Sequence, residues 1–360
     1  MAATEPSQDP SYLWHNSLER PMLFGCYVCP DREICGGLNI APGMFSCRDL
    51  CCGHPQNCQF VCHCKPEERV ARSIEVGGWS FDNVPRGPAL TYPSLPTIVP
   101  YIQHGYCRRK PLQTSAVAVP LAALFRRSTG QLKFTSRAQV AEKFRLAQGS
   151  KLIIVGIDED QPIETYWSKG RGADIASNLT KLEPDLVTVP NYSVALDVPR
   201  WDNLYSMKKI VRCWHELVAN GMPTALHVNA RTDHDWTRWD EFIRQHDEVQ
   251  TISFEFGTGA ASPERGVWYA AHLAHLPKVA ARPLQLVTKG GRQYLAAFKQ
   301  SFAEVVFIET DTFVRTMKRF RASSDHATGI VDWENAPTAY GEPLDDLLQW
   351  NVEQITHCRS

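Results

Sequence analysis

Eight short apolar segments rich in β-branched residues constrain the fold of this chain most strongly. Strands buried on both faces, as in parallel sheets, have this nearly continuous apolar character. The segments are TIVPYI (97–102), SAVAVPL (115–121), KLIIVGI (151–157), DLVTVPN (185–191), TALHVNA (224–230), TISFEFG (251–257), PLQLVTK (283–289) and EVVFIET (304–310).

Stretches of helical period lie between the later segments. In MKKIVRCWHELVANG (207–221), Ile210, Cys213, Trp214 and Leu217 fall on one helix face. Strands that alternate with helices indicate βαβ units. Eight such units predict an α/β fold of the (β/α)8 TIM-barrel type. A doubly wound open sheet is the alternative, but the glycine-rich fingerprint expected after its first strand is missing.

Composition divides the chain into three regions. We expect a cysteine-rich metal-binding region at 1–75, the barrel at 76–322, and a C-terminal tail at 323–360 that is polar and irregular before a short closing helix. Residues 103–114 leave too little chain for a normal crossover helix between the first two strands.

Charge and hydropathy exclude several classes of protein. The formal net charge of the 360-residue chain is −1, so any binding of nucleic acid must use local basic patches. No apolar run reaches the roughly 18 residues of a membrane span. The N-terminus has no basic stretch followed by an apolar core, which predicts a cytoplasmic protein without membrane association.

Polar residues follow the predicted strands, where TIM-barrel enzymes carry their chemistry. They include Asp158, Asn191, Asn229, Glu255 with Gly257, Lys289 and Asp311. The plain alternative is that strand ends begin loops, and loops are polar. That alternative explains Glu255 less well, because a carboxylate inside an apolar run needs a partner or a function.

The last two units also carry cations and glycines. Lys289-Gly290-Gly291-Arg292 follows the seventh segment, and Arg315 follows the eighth. Loops at these positions of TIM barrels often bind phosphate, and glycine allows the backbone to approach an anion closely. A solvated basic surface is the alternative explanation.

The stretch LQLVTKGGRQYLAAFKQSFAEVVFIETDTFVRTMKR (284–319) resembles the last two βα units of tRNA-guanine transglycosylases and their DNA-modifying relatives. In that family a glycine-containing strand end precedes a helix. An apolar strand then delivers an aspartate nucleophile, and a basic segment follows it. The position that matches the nucleophile is Asp311. The zinc site that the family carries after the last strand has no counterpart here, because Cys358 is alone in the tail.

The resemblance implies an enzyme that exchanges guanine for a 7-deazaguanine-type base in a nucleic acid, tRNA or DNA, through a covalent Asp-glycosyl intermediate. It implies Asp311 as nucleophile, Asp158 as acid and base, and Glu255 as a further catalytic residue. The substrate would be held by Asn191, Asn229, Gly257, Lys289, Gly290, Gly291, Arg292 and Arg315. A homodimer is also possible. An N-glycosidic hydrolase and a non-catalytic nucleic-acid or protein-binding module with a metal knuckle remain as alternatives.

Nine of the twelve cysteines lie in one short N-terminal segment, which in a reducing compartment indicates metal ligation. The candidate ligands are Cys26, Cys29, Cys35, Cys47, Cys51, Cys52, Cys58, Cys62 and Cys64. Tetrahedral zinc and a [4Fe–4S] cluster both fit thiolate ligands. The C-x2-C-x5-C-GG run also resembles the auxiliary iron–sulfur domain of certain radical enzymes, and the sequence does not decide between the two cofactors.

A few further residues are expected to be structural. His227 is interpreted as a core histidine and Trp236 and Trp239 as packing residues. Cys107 and Cys213 are expected to be ordinary buried thiols.

Overall fold

The computed structural model describes residues 21–39, 66–195, 200–257, 262–325, 330–339 and 341–359. Within these residues the β-strands are β1 (Ile98–Pro100), β2 (Ala116–Pro120), β3 (Lys151–Val155), β4 (Leu186–Thr188), β5 (Thr224–His227), β6 (Thr251–Glu255), β7 (Gln285–Lys289), β8 (Glu304–Glu309), β9 (Phe320–Asp325) and β10 (Ile330–Asn335).

The α-helices of the same residues are α1 (Arg32–Cys35), α2 (Pro66–Val76), α3 (Leu121–Leu124), α4 (Arg137–Phe144), α5 (Asp160–Thr165), α6 (Ile175–Leu179), α7 (Arg200–Ala219), α8 (Asp233–Gln245), α9 (Pro263–Ala280), α10 (Leu295–Ser301), α11 (Asp311–Met317) and α12 (Asp345–Arg359). A π-helical turn, Tyr166–Gly170, continues α5, and 3-10 turns form at Phe24–Val28, Thr180–Leu182 and Arg292–Tyr294. No helix in the described part of the chain is long and apolar enough to cross a membrane.

The first eight strands form one parallel sheet that is nearly closed into a barrel. The order runs from β2 through β8 to β1. A parallel bridge between Tyr101 and Ala118 joins its two edges, and the Ile102 amide donates to the Ala118 carbonyl at 2.8 Å. Each predicted apolar segment contains one strand, and the predicted TIM-type barrel is confirmed.

Alternate residues of these strands fill the barrel interior, as the two-residue repeat of a strand requires. Branched and small side chains dominate this core because an eight-stranded barrel has room for side chains and little else. The buried core residues are Leu95, Val99, Tyr101, Ala116, Ala118, Ile153, Val155, Ile157, Leu186, Ala225, Val287, Val306 and Ile308.

The chain segment at 92–95 closes the N-terminal end of the barrel through polar contacts. Lys151 Nζ donates to the Ser94 carbonyl at 2.5 Å, and Gln285 Nε2 donates to the Pro93 carbonyl at 3.2 Å. Gln285 Nε2 also donates to Glu304 Oε2 at 2.8 Å. The polar groups at this end are therefore paired by structural contacts.

The predicted absence of a crossover helix between β1 and β2 is confirmed, and α12 covers β1 instead. Ile355 of α12 packs with Ile98 and Phe307 on the outer face of the sheet. The Asp345 carboxylate anchors the start of α12, because it accepts bonds from the backbone amides of Arg109 and Lys110 at 2.9 Å.

The tail departs from its predicted irregularity. β9 and β10 pair as an antiparallel hairpin, with Trp333 opposite Ala322. Val331 and Trp333 pack against the cluster formed by Ile98, Phe307 and Ile355. Burial against the barrel stabilises strands in a segment whose own composition is polar.

The described residues divide into two compact units. The described residues of the first lie within Met1–Arg86, Tyr192–Cys213 and Val228–His246. Those of the second lie within Gly87–Asn191, Trp214–His227 and Asp247–Ser360, and include all eight barrel strands.

Local sequence signals account well for several helices. The predicted apolar face of α7 is confirmed, because Ile210, Cys213, Trp214 and Leu217 are fully buried. Ser262 begins α9 by accepting a bond from the Arg265 amide.

The prediction that Cys107 is a buried thiol is wrong. Cys107 is exposed and has a φ of 60°, because it lies in a turn of the short β1–β2 connection.

Candidate active site at the C-terminal end of the barrel

Four side chains with acidic, basic or hydroxyl groups come from strand ends on the same side of the barrel. Tyr101 directly follows β1, and Asp158 comes shortly after β3. Glu255 is the last residue of β6, and Lys289 is the last residue of β7. Because all eight strands are parallel, these residues lie at one end, where TIM barrels carry their active sites.

Lys289 is the centre of this group. Its Nζ donates to the Ile157 carbonyl at 3.0 Å and lies 5.4 Å from the centroid of the Tyr101 ring. Burial lowers the pKa of Lys289, and the charges of Glu255 and Asp158 oppose that effect. The ammonium group therefore lies between the Ile157 carbonyl and the Tyr101 ring, where the charges of Glu255 and Asp158 act on it.

The pattern of the sequence does not single out Tyr101, because it lies within the apolar segment TIVPYI (97–102). Its side chain is 5 % exposed. Burial raises the pKa of its phenol, and the charge of Asp158 raises it further. Tyr101 consequently remains a neutral hydroxyl at physiological pH and can donate a hydrogen bond there.

Asp158 and Asn191 meet at the ends of neighbouring strands. The Asn191 side-chain oxygen accepts a bond from the Asp158 amide at 3.0 Å. Asp158 Oδ1 accepts a bond from the Glu159 amide at 2.8 Å. Both side chains are half-buried. Asn191 thus holds the loop that presents Asp158, and its predicted contact with a substrate stays a prediction.

Glu255 folds back on the loop that follows it. Its Oε1 accepts a bond from the Gly257 amide at 2.6 Å. A Cβ atom at position 257 would overlap the same carboxylate oxygen. Gly257 is therefore needed for the conformation of Glu255, and this explains a glycine that the sequence placed among substrate-binding residues.

The glycines of the KGGR loop also have a packing reason. Gly290 and Gly291 have φ values of 78° and 72°, a region that favours glycine. A Cβ atom at Gly291 would overlap the Phe256 ring. The loop thus packs closely on the end of β6 while Lys289 points into the barrel.

The predicted phosphate-binding cations are directed to different places. Lys289 turns inward, whereas Arg292 is exposed beside the 3-10 turn Arg292–Tyr294. Arg315 is exposed on α11, with its guanidinium 5.0 Å from the centroid of the Trp333 ring. The structure therefore brings Lys289 to the carboxylates and leaves Arg292 and Arg315 on the surface.

Glu309 and Asp311 have different positions at the end of β8. Glu309 is 3 % exposed, and its two carboxylate oxygens accept bonds from the amides of Asp311 and Thr312 at 3.1 and 2.9 Å. Glu309 therefore satisfies the first turn of α11. Asp311 is the exposed first residue of that helix, at the same end of the barrel as Asp158 and Glu255.

Asn229 belongs to the first unit and makes structural contacts there. Its Nδ2 donates to the Tyr192 carbonyl at 3.2 Å, and its own carbonyl accepts a bond from Trp239 Nε1 at 2.9 Å. Trp239 is fully buried and Trp236 nearly so, as expected of packing residues.

His227 is buried in the barrel, as the sequence indicated. Only 2 % of it is exposed, and its Nδ1 lies 3.4 Å from Ser253 Oγ. Burial lowers its pKa to about 3, so that the ring is neutral. A neutral buried imidazole is a core group rather than a cation that could hold phosphate.

Three of the predicted metal ligands lie in the described part of the first unit. Cys26 and Cys35 are each 5 % exposed, and Cys29 is half-buried. Burial raises the pKa of the Cys26 thiol, and the charges of Cys35 and Cys29 raise it further. The remaining candidate ligands, Cys47, Cys51, Cys52, Cys58, Cys62 and Cys64, lie outside the described residues.

Among the described residues, no group of three or more His, Cys, Asp or Glu side chains is arranged to hold a metal ion. The three thiols do line one pocket, together with Asp31, Arg32, Gly37, Arg200 and Trp201.

No family model matches the sequence, no curated protein matches it, and no solved structure matches the fold.

Proposed function

We propose that the barrel is a glycosyl-transferring enzyme that exchanges a guanine for a 7-deazaguanine-type base in a nucleic acid. The observation that carries the proposal is that Asp158, Glu255 and Asp311 all come from strand ends at one end of the barrel, where the half-buried Lys289 bonds to the Ile157 carbonyl. Two carboxylates at one mouth are what base exchange at a sugar carbon requires. The resemblance at 284–319 supplies the class of base and the nucleic-acid substrate.

Asp311 is the proposed nucleophile. One of its carboxylate oxygens attacks C1′ of the nucleotide as the bond from C1′ to the guanine nitrogen breaks, and the departing base takes the bonding electrons. Asp158 gives a proton to the base. The incoming base then loses a proton to Asp158 and displaces Asp311 from C1′, so that the carboxylate is regenerated and the proton count is restored.

Glu255 and Tyr101 are proposed to hold the edge of the base. Glu255 offers a carboxylate oxygen as acceptor for base N–H groups, and the neutral phenol of Tyr101 offers a donor. Lys289 keeps the two carboxylates at one site by its charge, and its bond to the Ile157 carbonyl fixes its direction. Exposed Arg292 and Arg315 would meet the phosphates of the nucleic acid outside the mouth.

We further propose that the N-terminal cysteine-rich segment binds zinc or a [4Fe–4S] cluster. Metal binding is supported by the nine cysteines of this short segment, because thiolates are ligands of both zinc and iron–sulfur clusters. In this proposal the metal is separate from the chemical step, which uses the carboxylates of the barrel.

The test is a base-exchange assay that follows incorporation of labelled guanine into pooled tRNA and into duplex DNA. Asp158→Asn, Glu255→Gln and Asp311→Asn are each expected to lower the rate at least about 100-fold, as loss of an acid, base or nucleophile does. Glu159→Gln is the matched control, because this carboxylate is adjacent to Asp158 but exposed.

Exchange that persists in Asp311→Asn would remove the nucleophile assignment. Release of guanine without incorporation would indicate an N-glycosidic hydrolase. Binding of nucleic acid with no turnover of either kind would indicate the non-catalytic module.

A further inference from the structure

The connection between β2 and β3 carries an excess of positive charge. Residues 121–150 contain six arginine or lysine residues and one carboxylate, that of Glu142, whereas the whole chain has a formal net charge of −1. One of the six, Arg137, pairs with Asp185 at 2.8 Å. The connection leaves β2 at the end of the barrel where Asp158 follows β3, because the two strands are parallel neighbours. A chain without overall positive charge needs such a local patch if it binds a polyanion.

A small hairpin presents the first cations of this connection. Phe125 pairs with Leu132 in an antiparallel bridge, and the Gly130 amide donates to the Arg126 carbonyl at 2.7 Å. A Cβ atom at Gly130, which has a φ of 74°, would overlap the backbone of Lys169. The glycine therefore allows the hairpin to pack closely on the π-helical turn that continues α5.

The charged groups of the hairpin and the turn bond to neutral oxygen atoms. Lys169 Nζ donates to the Arg127 carbonyl at 3.4 Å, and Lys133 Nζ donates to the Ala123 carbonyl at 2.9 Å. Arg127 Nη1 donates to Gln161 Oε1 at 3.5 Å. These bonds direct the three cations without neutralising their charge.

Lys133 lies among like charges. Burial lowers its pKa, and the charges of Arg127, Arg126 and Lys143 lower it further. Repulsion of this kind costs free energy in the free protein. An anionic ligand that binds to these cations would relieve the repulsion, which gives the arrangement a use that a solvated basic surface does not have.

An open groove with aromatic side chains lies next to these cations, and Lys143 belongs to both. The groove has a volume of about 530 Å³, and its lining includes Tyr106, Phe134, Glu142, Lys143 and Arg145. Tyr106 is 64 % exposed, and Lys143 Nζ lies 5.2 Å from the centroid of its ring. An exposed aromatic ring beside cations can stack on an unpaired base while the cations contact phosphates.

We propose that this surface, called the basic groove, binds an unpaired strand of RNA. The basic groove consists of Tyr106, Arg126, Arg127, Lys133, Lys143 and Lys169. A base stacks on Tyr106, and the cations contact the phosphates on either side of it. A duplex would leave the exposed ring without a partner, because its base faces are covered by neighbouring base pairs.

This inference rests on the proposed function, which supplies the nucleic acid as ligand, and it deepens that function by selecting RNA over DNA. Proteins read RNA mainly at unpaired loops, where bases can stack on aromatic side chains. The exposed ring of Tyr106 beside Lys143 suits such a loop better than it suits a DNA duplex.

The experiment measures binding of the full chain to a fluorescent single-stranded RNA of about 12 nucleotides, and to a DNA duplex of the same length, by fluorescence anisotropy. We expect the single strand to bind more tightly, although the duplex has the higher charge density. Tyr106→Ala should weaken binding of the RNA at least about 5-fold, as loss of a stacking ring does. Tyr106→Phe is the matched control and should keep the wild-type affinity, because the ring remains.

Arg127→Gln and Lys143→Gln test the contacts with phosphate. Each should weaken binding and make the slope of log K against log salt concentration less steep by about 0.7. Lys181→Gln should change neither quantity, since this exposed lysine bonds locally to Asn178 and lies outside the groove. Tighter binding of the duplex would overturn the proposal. So would a wild-type affinity for the RNA in either Tyr106→Ala or a variant that combines Arg126→Gln, Arg127→Gln and Lys143→Gln.

This result is distinguishable from that of the base-exchange assay. Asp158→Asn is expected to abolish exchange, whereas adding Tyr106→Ala to it should still weaken binding of the RNA. A chain that binds RNA through the basic groove and exchanges no base would overturn only the proposed function. Base exchange in a chain whose RNA affinity does not respond to the groove variants would overturn only this inference.

Discussion

Lys289 Nζ donates to the carbonyl oxygen of Ile157 at 3.0 Å, and this bond joins opposite sides of the barrel. Three strands separate β7 from β3 in either direction around the barrel. The long side chain of Lys289 therefore crosses the interior above the apolar core and carries its charge to Asp158, beside Ile157. The bond closes the core and at the same time places a cation among the acidic groups of the mouth.

Lys289→Gln is expected to lower the free energy of unfolding by about 1–3 kcal/mol, because glutamine is too short to cross the barrel and leaves the Ile157 carbonyl without its donor. Urea denaturation measures this change. Lys181→Gln is the control, since Lys181 is exposed and bonds only locally to Asn178. Equal midpoints for the two variants would contradict a structural role for the cross-barrel bond.

Gly291→Ala is expected to destabilise the chain by about 1–3 kcal/mol, since the residue has a left-handed backbone and an added Cβ would overlap the Phe256 ring. Gly149→Ala is the matched control, because no atom lies within 4 Å of the position that its Cβ would take. Thermal and urea midpoints should fall for the first variant only. A wild-type midpoint for Gly291→Ala would show that the loop moves without cost.

His227 is expected to make stability fall as the solution is acidified. Its pKa is lowered by burial to about 3, below the value of about 6.5 in an unfolded chain. Between these values the unfolded chain binds a proton that the folded chain does not, so unfolding becomes more favourable as pH decreases.

The measurement compares the free energy of unfolding at pH 7 and near pH 4.5 in wild type and His227→Gln. The wild type should lose on the order of 2 kcal/mol more than the variant. His275→Gln, at an exposed histidine, serves as control and should keep the wild-type slope. The same slope in His227→Gln and wild type would contradict the burial of a neutral ring.

Asp345→Ala is expected to cost about 2–4 kcal/mol, because it leaves the amides of Arg109 and Lys110 without their acceptor and removes the charge that lies 3.9 Å from Nε of the buried Arg108. Limited proteolysis should then cut near the start of α12. The adjacent Asp346→Ala is the matched control: this carboxylate is 88 % exposed and pairs only with the exposed Lys110. We expect its urea midpoint and its cleavage pattern to match the wild type.

Patterns between near neighbours in the chain determined the eight barrel strands and several of the helices. The eight apolar segments predicted eight strands, and the 3.6-residue repeat of 207–221 predicted the buried face of α7. These signals are local, because a residue's neighbours in sequence decide which of its faces can be apolar. The short connection at 103–114 likewise indicated that one crossover helix is missing.

Only the tertiary structure decided how distant residues meet. It placed α12 over β1, stabilised a hairpin in a polar tail, and turned Lys289 across the barrel to Ile157. It also gave the buried, helix-capping position to Glu309 and left Asp311 exposed, although both stand in one run of polar residues. Periodicity in the sequence does not predict these outcomes, because each depends on contacts between segments that meet only in the folded chain.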